Sequence, residues 1–153
     1  IYKTRQLLPT IKLPFSMIAI IKAHFNAHIT DLLLAGCTDE LDAKNVAYKV
    51  FECAGAVETV VFANRMIETK QYDCVVVIGA IIKGDTDHYE YVCQYVTQGF
   101  ATIAATKLIP VIFGILTTQN EALAYERAAI DKMNKGQEFA KTAMEMIESF
   151  KSL

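Results

Sequence analysis

The run Lys83-Gly84-Asp85-Thr86-Asp87-His88 holds residue types whose spacing can do chemistry. Glycine opens a turn, a threonine hydroxyl both donates and accepts, and an imidazole moves protons near neutral pH. Upstream lies the apolar run Cys74 to Ile82, and a helix-like pattern begins at His88. A buried strand therefore delivers these groups to the mouth of a helix. Free backbone N–H groups and the helix dipole make such a place receptive to an anion. A phosphate seat beside a proton shuttle is the outline of an active site. Strand, turn and helix with glycine alone would not carry that reading, because many α/β proteins have them for structural reasons.

The elements that must position this turn follow from periodicity and punctuation. The first 14 residues, with Pro9 and Pro14, read as an extended arm of one domain spanning residues 1–153. Phe15 to Ile21 reads as a strand, and Asn26 introduces a helix over Ala27 to Leu41 with Ile29, Leu32, Leu33 and Cys37 on its apolar face. Tyr48 to Cys53 is a second strand, and Gly55 turns the chain into a helix over Val57 to Glu68 with Val61 and Ile67 among its apolar positions. Cys74 to Ile82 is apolar on both faces, as a central parallel strand should be. His88 to Thr106 is helical, and Ile109 to Leu116 is a fourth strand. Thr117, Thr118 and Asn120 supply caps for a helix reaching Met133, and Gly136 interrupts before a last helix over Gln137 to Ser149. This alternation implies a parallel sheet covered on both faces. Ligands bind outside the carboxyl ends of such strands, where Phe25-Asn26, Gly55 to Glu58, Lys83 to His88 and Thr117 to Asn120 should gather.

Composition narrows the class. The balance of 15 basic against 17 acidic residues, with no basic stripe interleaved with aromatics, excludes nucleic acid as an expected partner. The apolar fraction of 53% and the mean hydropathy of +0.26 are high for a soluble monomer. No uninterrupted apolar run approaches the roughly 20 residues of a spanning helix, so no membrane is expected either. Leu13 to Ile21 resembles a signal peptide only faintly, since Lys22 follows directly and no small-x-small site is present. Burial against sister subunits is the better account of the apolar surplus. The four cysteines form no CxxC pair and the three histidines no HExxH, so the thiols read as reduced, the location as cytoplasmic, and no metal is expected.

Four separate segments then converge. His24-Phe25-Asn26, Ala54-Gly55-Ala56-Val57-Glu58, the Gly79 to His88 segment and the Pro110 to Thr117 strand occur in order, followed by Glu126-Arg127-Ala128 and Asn134-Lys135-Gly136. Together they resemble the 6,7-dimethyl-8-ribityllumazine synthase family, from about residue 15 to the C-terminus. His24 stands where the family usually has arginine, Ala54 and Val60 where it has prolines, and Asp87 where proline commonly precedes the histidine. Asp87 also suits a helix start, and with Glu90 it can mimic a capping box. Its drawback is a second carboxylate, beside Asp85, near the expected phosphate.

The resemblance implies a flavodoxin-like α/β fold, a three-layer α/β/α sandwich on a four-stranded parallel sheet. It implies a transferase condensing 5-amino-6-(D-ribitylamino)uracil with 3,4-dihydroxy-2-butanone 4-phosphate, in the penultimate step of riboflavin biosynthesis, without metal or redox cofactor. His88 would then be the proton shuttle, and Arg127, Asp85 and Thr86 would hold phosphate. Phe25 would be a platform for the pyrimidine ring, Glu58 would accept from ribityl hydroxyls, and Asn26 and Lys135 would approach the substrates. Ala56, Val57, Ala80, Ile81 and Ile82 would use main-chain groups, and Phe113 would close the pocket from the adjacent subunit. Plainer readings stand beside these. His88 could be an exposed helix-start residue, Arg127 a solvated arginine paired with Glu126 or Asp131, Phe25 and Phe113 core residues, and Lys135 a surface lysine. Family members form pentamers, some closing into a sixty-subunit icosahedral shell, with functional coupling to riboflavin synthase. The link Ala129 to Met133 lacks the glycine of shell formers, which favours a free pentamer. The alternative function is a catalytically impaired lumazine- or flavin-binding homologue, or a ring-forming structural one.

Overall fold

A computed structural model describes residues 16–153; the arm expected over residues 1–14 and the expected first strand residue, Phe15, lie outside them. Nine elements follow in the order β1 Met17–Ala23, α1 Ala27–Ala43, β2 Ala47–Cys53, α2 Ala56–Glu68, β3 Cys74–Ile82, α3 His88–Thr106, β4 Val111–Thr118, α4 Glu121–Ala128 and α5 Lys135–Lys151. The four strands form one sheet in the order β2-β1-β3-β4, and every pair is parallel.

Side chains of a strand alternate between faces, and the two cores follow that alternation. Ile18, Ile20, Val76, Ile78 and Leu116 pack with Ile29, Leu33, Cys37 and Leu41 of α1 and Ala140, Ala143 and Ile147 of α5. Ala19, Ile21, Val75, Val77 and Ile115 pack on the other face with Ala63 and Ile67 of α2 and Val96, Phe100 and Ile103 of α3. The result is the three-layer α/β/α sandwich with flavodoxin-like strand order.

Most elements sit where periodicity puts them, with instructive differences. β1 and β4 each begin and end two residues later than expected. Their C-terminal polar residues, Lys22 and Thr118, continue the ladder because partners are available: Lys22 pairs with Ile78 and Thr118 with Ile82. α4 stops at Ala128, short of Met133, because Ala129 turns extended and Met133 and Asn134 bond back to Glu126 and Ala129. Gly136 does not interrupt; it lies buried in the first turn of α5. Val61 is not core in this chain but 68% exposed on α2.

At the end of β1, Lys22 is only 4% exposed. Its ammonium is paired with Asp31 of α1 and lies 3.0 Å from Glu52 of β2. Burial lowers its pKa, but the hydrogen bonds and charges of Asp31 and Glu52 outweigh burial and the net shift is upward. The Thr30 hydroxyl donates to the Ala23 carbonyl at 2.9 Å, fastening the first turn of α1 to the same strand end.

Gly136 is where α5 meets α1: a methyl group there would lie 2.0 Å from the Leu33 carbonyl oxygen. Gly136→Ala should therefore force the helices apart and lower stability by about 1–3 kcal/mol, read as the urea midpoint. Burial pushes the Cys37 and Cys74 thiols up to about 12. Unfolded thiols titrate near ~8.5, so the unfolded chain releases these protons first as pH rises. Their stabilising contribution is complete below that value and declines between roughly pH 8.5 and 12. Denaturant unfolding at pH 8 and pH 10 should show the decline, and a Cys37→Val/Cys74→Val variant should show a shallower one.

Candidate active site

The ends of β1, β2 and β3 are bonded into one rim. The His24 and Phe25 N–H groups donate to the Cys53 and Ala54 carbonyls at 2.7 and 2.9 Å. The Asn26 carboxamide nitrogen donates to the Ala80 carbonyl at 2.9 Å. Beyond Ile82, the Lys83 N–H donates to the Thr118 carbonyl at 2.9 Å, so the turn leaves β3 still attached to β4. A cavity of about 630 Å³ opens above this rim, within the range of small-ligand sites.

Its walls come from three strand ends and the turns and helix starts that follow them. The first supplies Phe25 and Asn26; the second supplies Ala54 to Glu58; the third supplies Ala80 to Ile82, Gly84, Thr86 and His88. Phe25 is 70% exposed, so its ring is presented to the cavity mouth rather than buried as core. Glu58 stands in the first turn of α2, where the dipole favours an acid, and its carboxylate leans back over Gly55. That carboxylate also acts on Cys53, whose thiol is pushed up first by burial and further by the Glu58 charge.

The turn before α3 is built differently from a capping box. Asp87 makes no side-chain cap, and the Glu90 carboxylate is taken by the Lys83 ammonium at 3.0 Å. Thr86 serves instead, its hydroxyl accepting the His88 N–H at 3.4 Å. The Lys83 pKa is raised, chiefly by that Glu90 hydrogen bond and charge. Asp85, Thr86, Asp87 and His88 are all exposed.

Ten expected residues thus meet at one cavity: Phe25, Asn26, Ala56, Val57, Glu58, Ala80, Ile81, Ile82, Thr86 and His88. Asp85 lies in the turn but does not line the cavity. Phe113, Arg127 and Lys135 do not line it in this chain either. Phe113 pairs with Val77, five residues below the Thr118 end of β4 and so about 16 Å down the strand. It is 41% exposed and packs edge-on against Phe100 at 5.8 Å. Arg127 folds onto its own helix, donating to the Leu123 carbonyl at 3.1 Å, with Glu126 at 3.9 Å. Lys135 is paired with Glu138 at 2.6 Å.

The cavity also takes in Gly55 and Gly84, both expected at this edge, together with Ala54, Tyr89 and Val92, which were not among the candidate site residues. Val92 was within reach of the sequence reading: four residues after His88, it shares that helix face. The Tyr89 phenol has its pKa raised, first by burial and then by the neighbouring Cys93.

A parallel sheet with a ligand-sized cavity at its carboxyl edge, walled in part by Phe25, Glu58 and His88, defines an α/β protein with its candidate small-molecule site at the usual strand ends. Residues 16–151 match the profile described as 6,7-dimethyl-8-ribityllumazine synthase. A 6,7-dimethyl-8-ribityllumazine synthase of Coxiella burnetii (strain Dugway 5J108-111) is 39% identical over 139 residues, covering 89% of this chain and 92% of that protein. The chain belongs to the 6,7-dimethyl-8-ribityllumazine synthase family, transferases of riboflavin biosynthesis.

The Glu58–Cys53 proximity is directly testable. Removing the charge in Glu58→Gln should lower the Cys53 pKa, raise its thiolate fraction and speed its alkylation at pH 8, measured by mass spectrometry of the labelled peptide.

Proposed function

We propose that this chain condenses 5-amino-6-(D-ribitylamino)uracil with 3,4-dihydroxy-2-butanone 4-phosphate to give 6,7-dimethyl-8-ribityllumazine, inorganic phosphate and water. The observation that carries the reading is the meeting of Phe25, Glu58, the 80–82 main chain, Thr86 and His88 around one cavity in a member of this family. The primary amine attacks the ketone and water leaves to give an imine. Loss of the C3 proton and of phosphate from C4 leaves an enol, the enol tautomerises to a ketone, and the ribitylamine nitrogen closes the ring on that new carbonyl with loss of a second water. No electron transfer to an external acceptor is needed.

Phe25 stacks on the pyrimidine, Glu58 accepts from ribityl hydroxyls, and the Thr86 turn receives the phosphate with help from Asp85. His88 takes and returns the protons that amine addition and water loss require. Holding two reactants together supplies most of the acceleration. Proton transfer adds about 10²–10⁴-fold.

Phe113, Arg127 and Lys135 act, in this reading, on the cavity of a neighbouring copy. Their absence from the lining of their own chain's cavity supports that, as do the exposed apolar side chains Val61, Tyr91, Tyr95, Tyr125 and Ile130. The assembly is a homo-oligomer, a pentamer or a shell built from pentamers, functionally coupled to riboflavin synthase. No helix among the described residues is long and apolar enough to cross a membrane. The four cysteines are all free, which supports a reducing, cytoplasmic location.

Incubating the native chain with both substrates should yield lumazine, followed by absorbance. His88→Ala should lower kcat by about 10²-fold or more. Arg127→Ala should chiefly raise KM for the butanone phosphate. A well-folded native oligomer that makes no product would overturn the synthase reading in favour of a binding homologue.

A further inference from the structure

β3 outruns its partner on one side. β1 pairs with β3 only as far as Lys22↔Ile78, whereas β4 follows it to Ile82↔Thr118. Main-chain groups of successive strand residues point to alternate edges. Val75 and Lys83 donate toward β4, to the Pro110 and Thr118 carbonyls, so the even-numbered Ala80 and Ile82 turn their main-chain groups toward the β1 side. There no strand accompanies them, and the cavity opens against that edge.

Asn26 reaches into this gap. Its φ is 59°, a left-handed conformation asparagine tolerates, and its own carbonyl starts α1 by accepting from Ile29 and Thr30 at 2.9 and 3.0 Å. An asparagine there would ordinarily cap the helix with its side chain. Here it makes no side-chain cap and spends the carboxamide across 54 residues of sequence, on the Ala80 carbonyl at 2.9 Å. Since a carbonyl can only accept, chemistry assigns the nitrogen to that contact.

We infer that Asn26 is a positioning residue, its carboxamide standing in for the missing strand partner and locking the Phe25 loop to the open edge of β3. The lock has two effects. It satisfies the Ala80 carbonyl, which leaves the Ile82 main chain as the free edge for a ligand's ring. It also sets the distance between that edge and the Phe25 ring, one residue before the clamp. The inference rests on the proposed function, because it assigns the clamped edge to the pyrimidine substrate. The phosphate turn at residues 84–88 hangs from β4 through Lys83 and Thr118 and is independent of the clamp.

Asn26→Gly tests this, since glycine keeps the left-handed backbone without strain and removes the clamping carboxamide. Steady-state kinetics should show KM for 5-amino-6-(D-ribitylamino)uracil raised about 3- to 10-fold, the worth of one net hydrogen bond. KM for the butanone phosphate should stay within about twofold, a split that general loosening would not produce. Asn26→Asp, which cannot donate and sets a carboxylate against the carbonyl, should raise the pyrimidine KM further. Native kinetics in the Gly variant, or equal rises in both KM values, would overturn the inference. So would loss of folded protein in both variants. Absence of product from the native chain measured alongside would instead defeat the proposed function.

Discussion

β3 is the constraint on which the site depends. Cys74 to Ile81 are buried, so this strand must be covered on both faces and hydrogen-bonded along both edges for most of its length. Each fully buried valine or isoleucine contributes about 1.5–3 kcal/mol, and the strand carries Val75, Val76, Val77 and Ile78 with no exposed surface. That gain is comparable with the whole net stability of a domain, so sliding the strand by a residue is prohibitive. The turn at Lys83 to Asp87 and the start of α3 at His88 are therefore delivered to a fixed place. Gly79 leaves room for its cross-strand neighbour on β4, where a methyl group would come within 3.3 Å of the Ile115 side chain.

Charge is organised on two levels around that edge. Below the rim, a buried Lys22 is neutralised by Asp31 and Glu52, and this ties β1, β2 and α1 together. Removing one partner of such a group costs more than the pair contributes, because a buried charge is left behind. Above the rim, Lys83 and Glu90 form an exposed pair that connects the strand end to the first turn of α3. Exposed pairs contribute little to stability, so its effect is on local geometry and field. The carboxylates of Asp85 and Asp87 are themselves exposed, where solvent and salt screen them. Screening weakens the negative field these acids cast over the turn.

Legibility in the sequence tracked burial. β3 and α3 were readable to the residue, because a continuous apolar run ending at Lys83-Gly84 leaves no freedom of register. β1 and β4 were readable only to within two residues, since Lys22 and Thr118 look like strand exits until their partners are known. Gly136 reads as a helix breaker, whereas its role is close approach of α5 to the Leu33 carbonyl, and no local pattern encodes an interhelical distance. The expected capping box failed for a similar reason: Glu90 is in the right position, but Lys83 competes for it more strongly than a backbone N–H does.

The sequence by itself determined the alternation of strands and helices, the four loops at the carboxyl edge and the family to which they belong, because periodicity and motif spacing are local properties. Tertiary structure alone decided which of the nominated residues share a cavity. Phe25, Glu58 and His88 meet there because three parallel strands end side by side, while Phe113, Arg127 and Lys135 do not line that cavity. It also decided the use of Asn26, which looks like a helix cap and is a bridge to Ala80. Strand lengths set that difference. β1 stops short of β3, the gap leaves an edge without a strand partner, and the Asn26 carboxamide bonds across it.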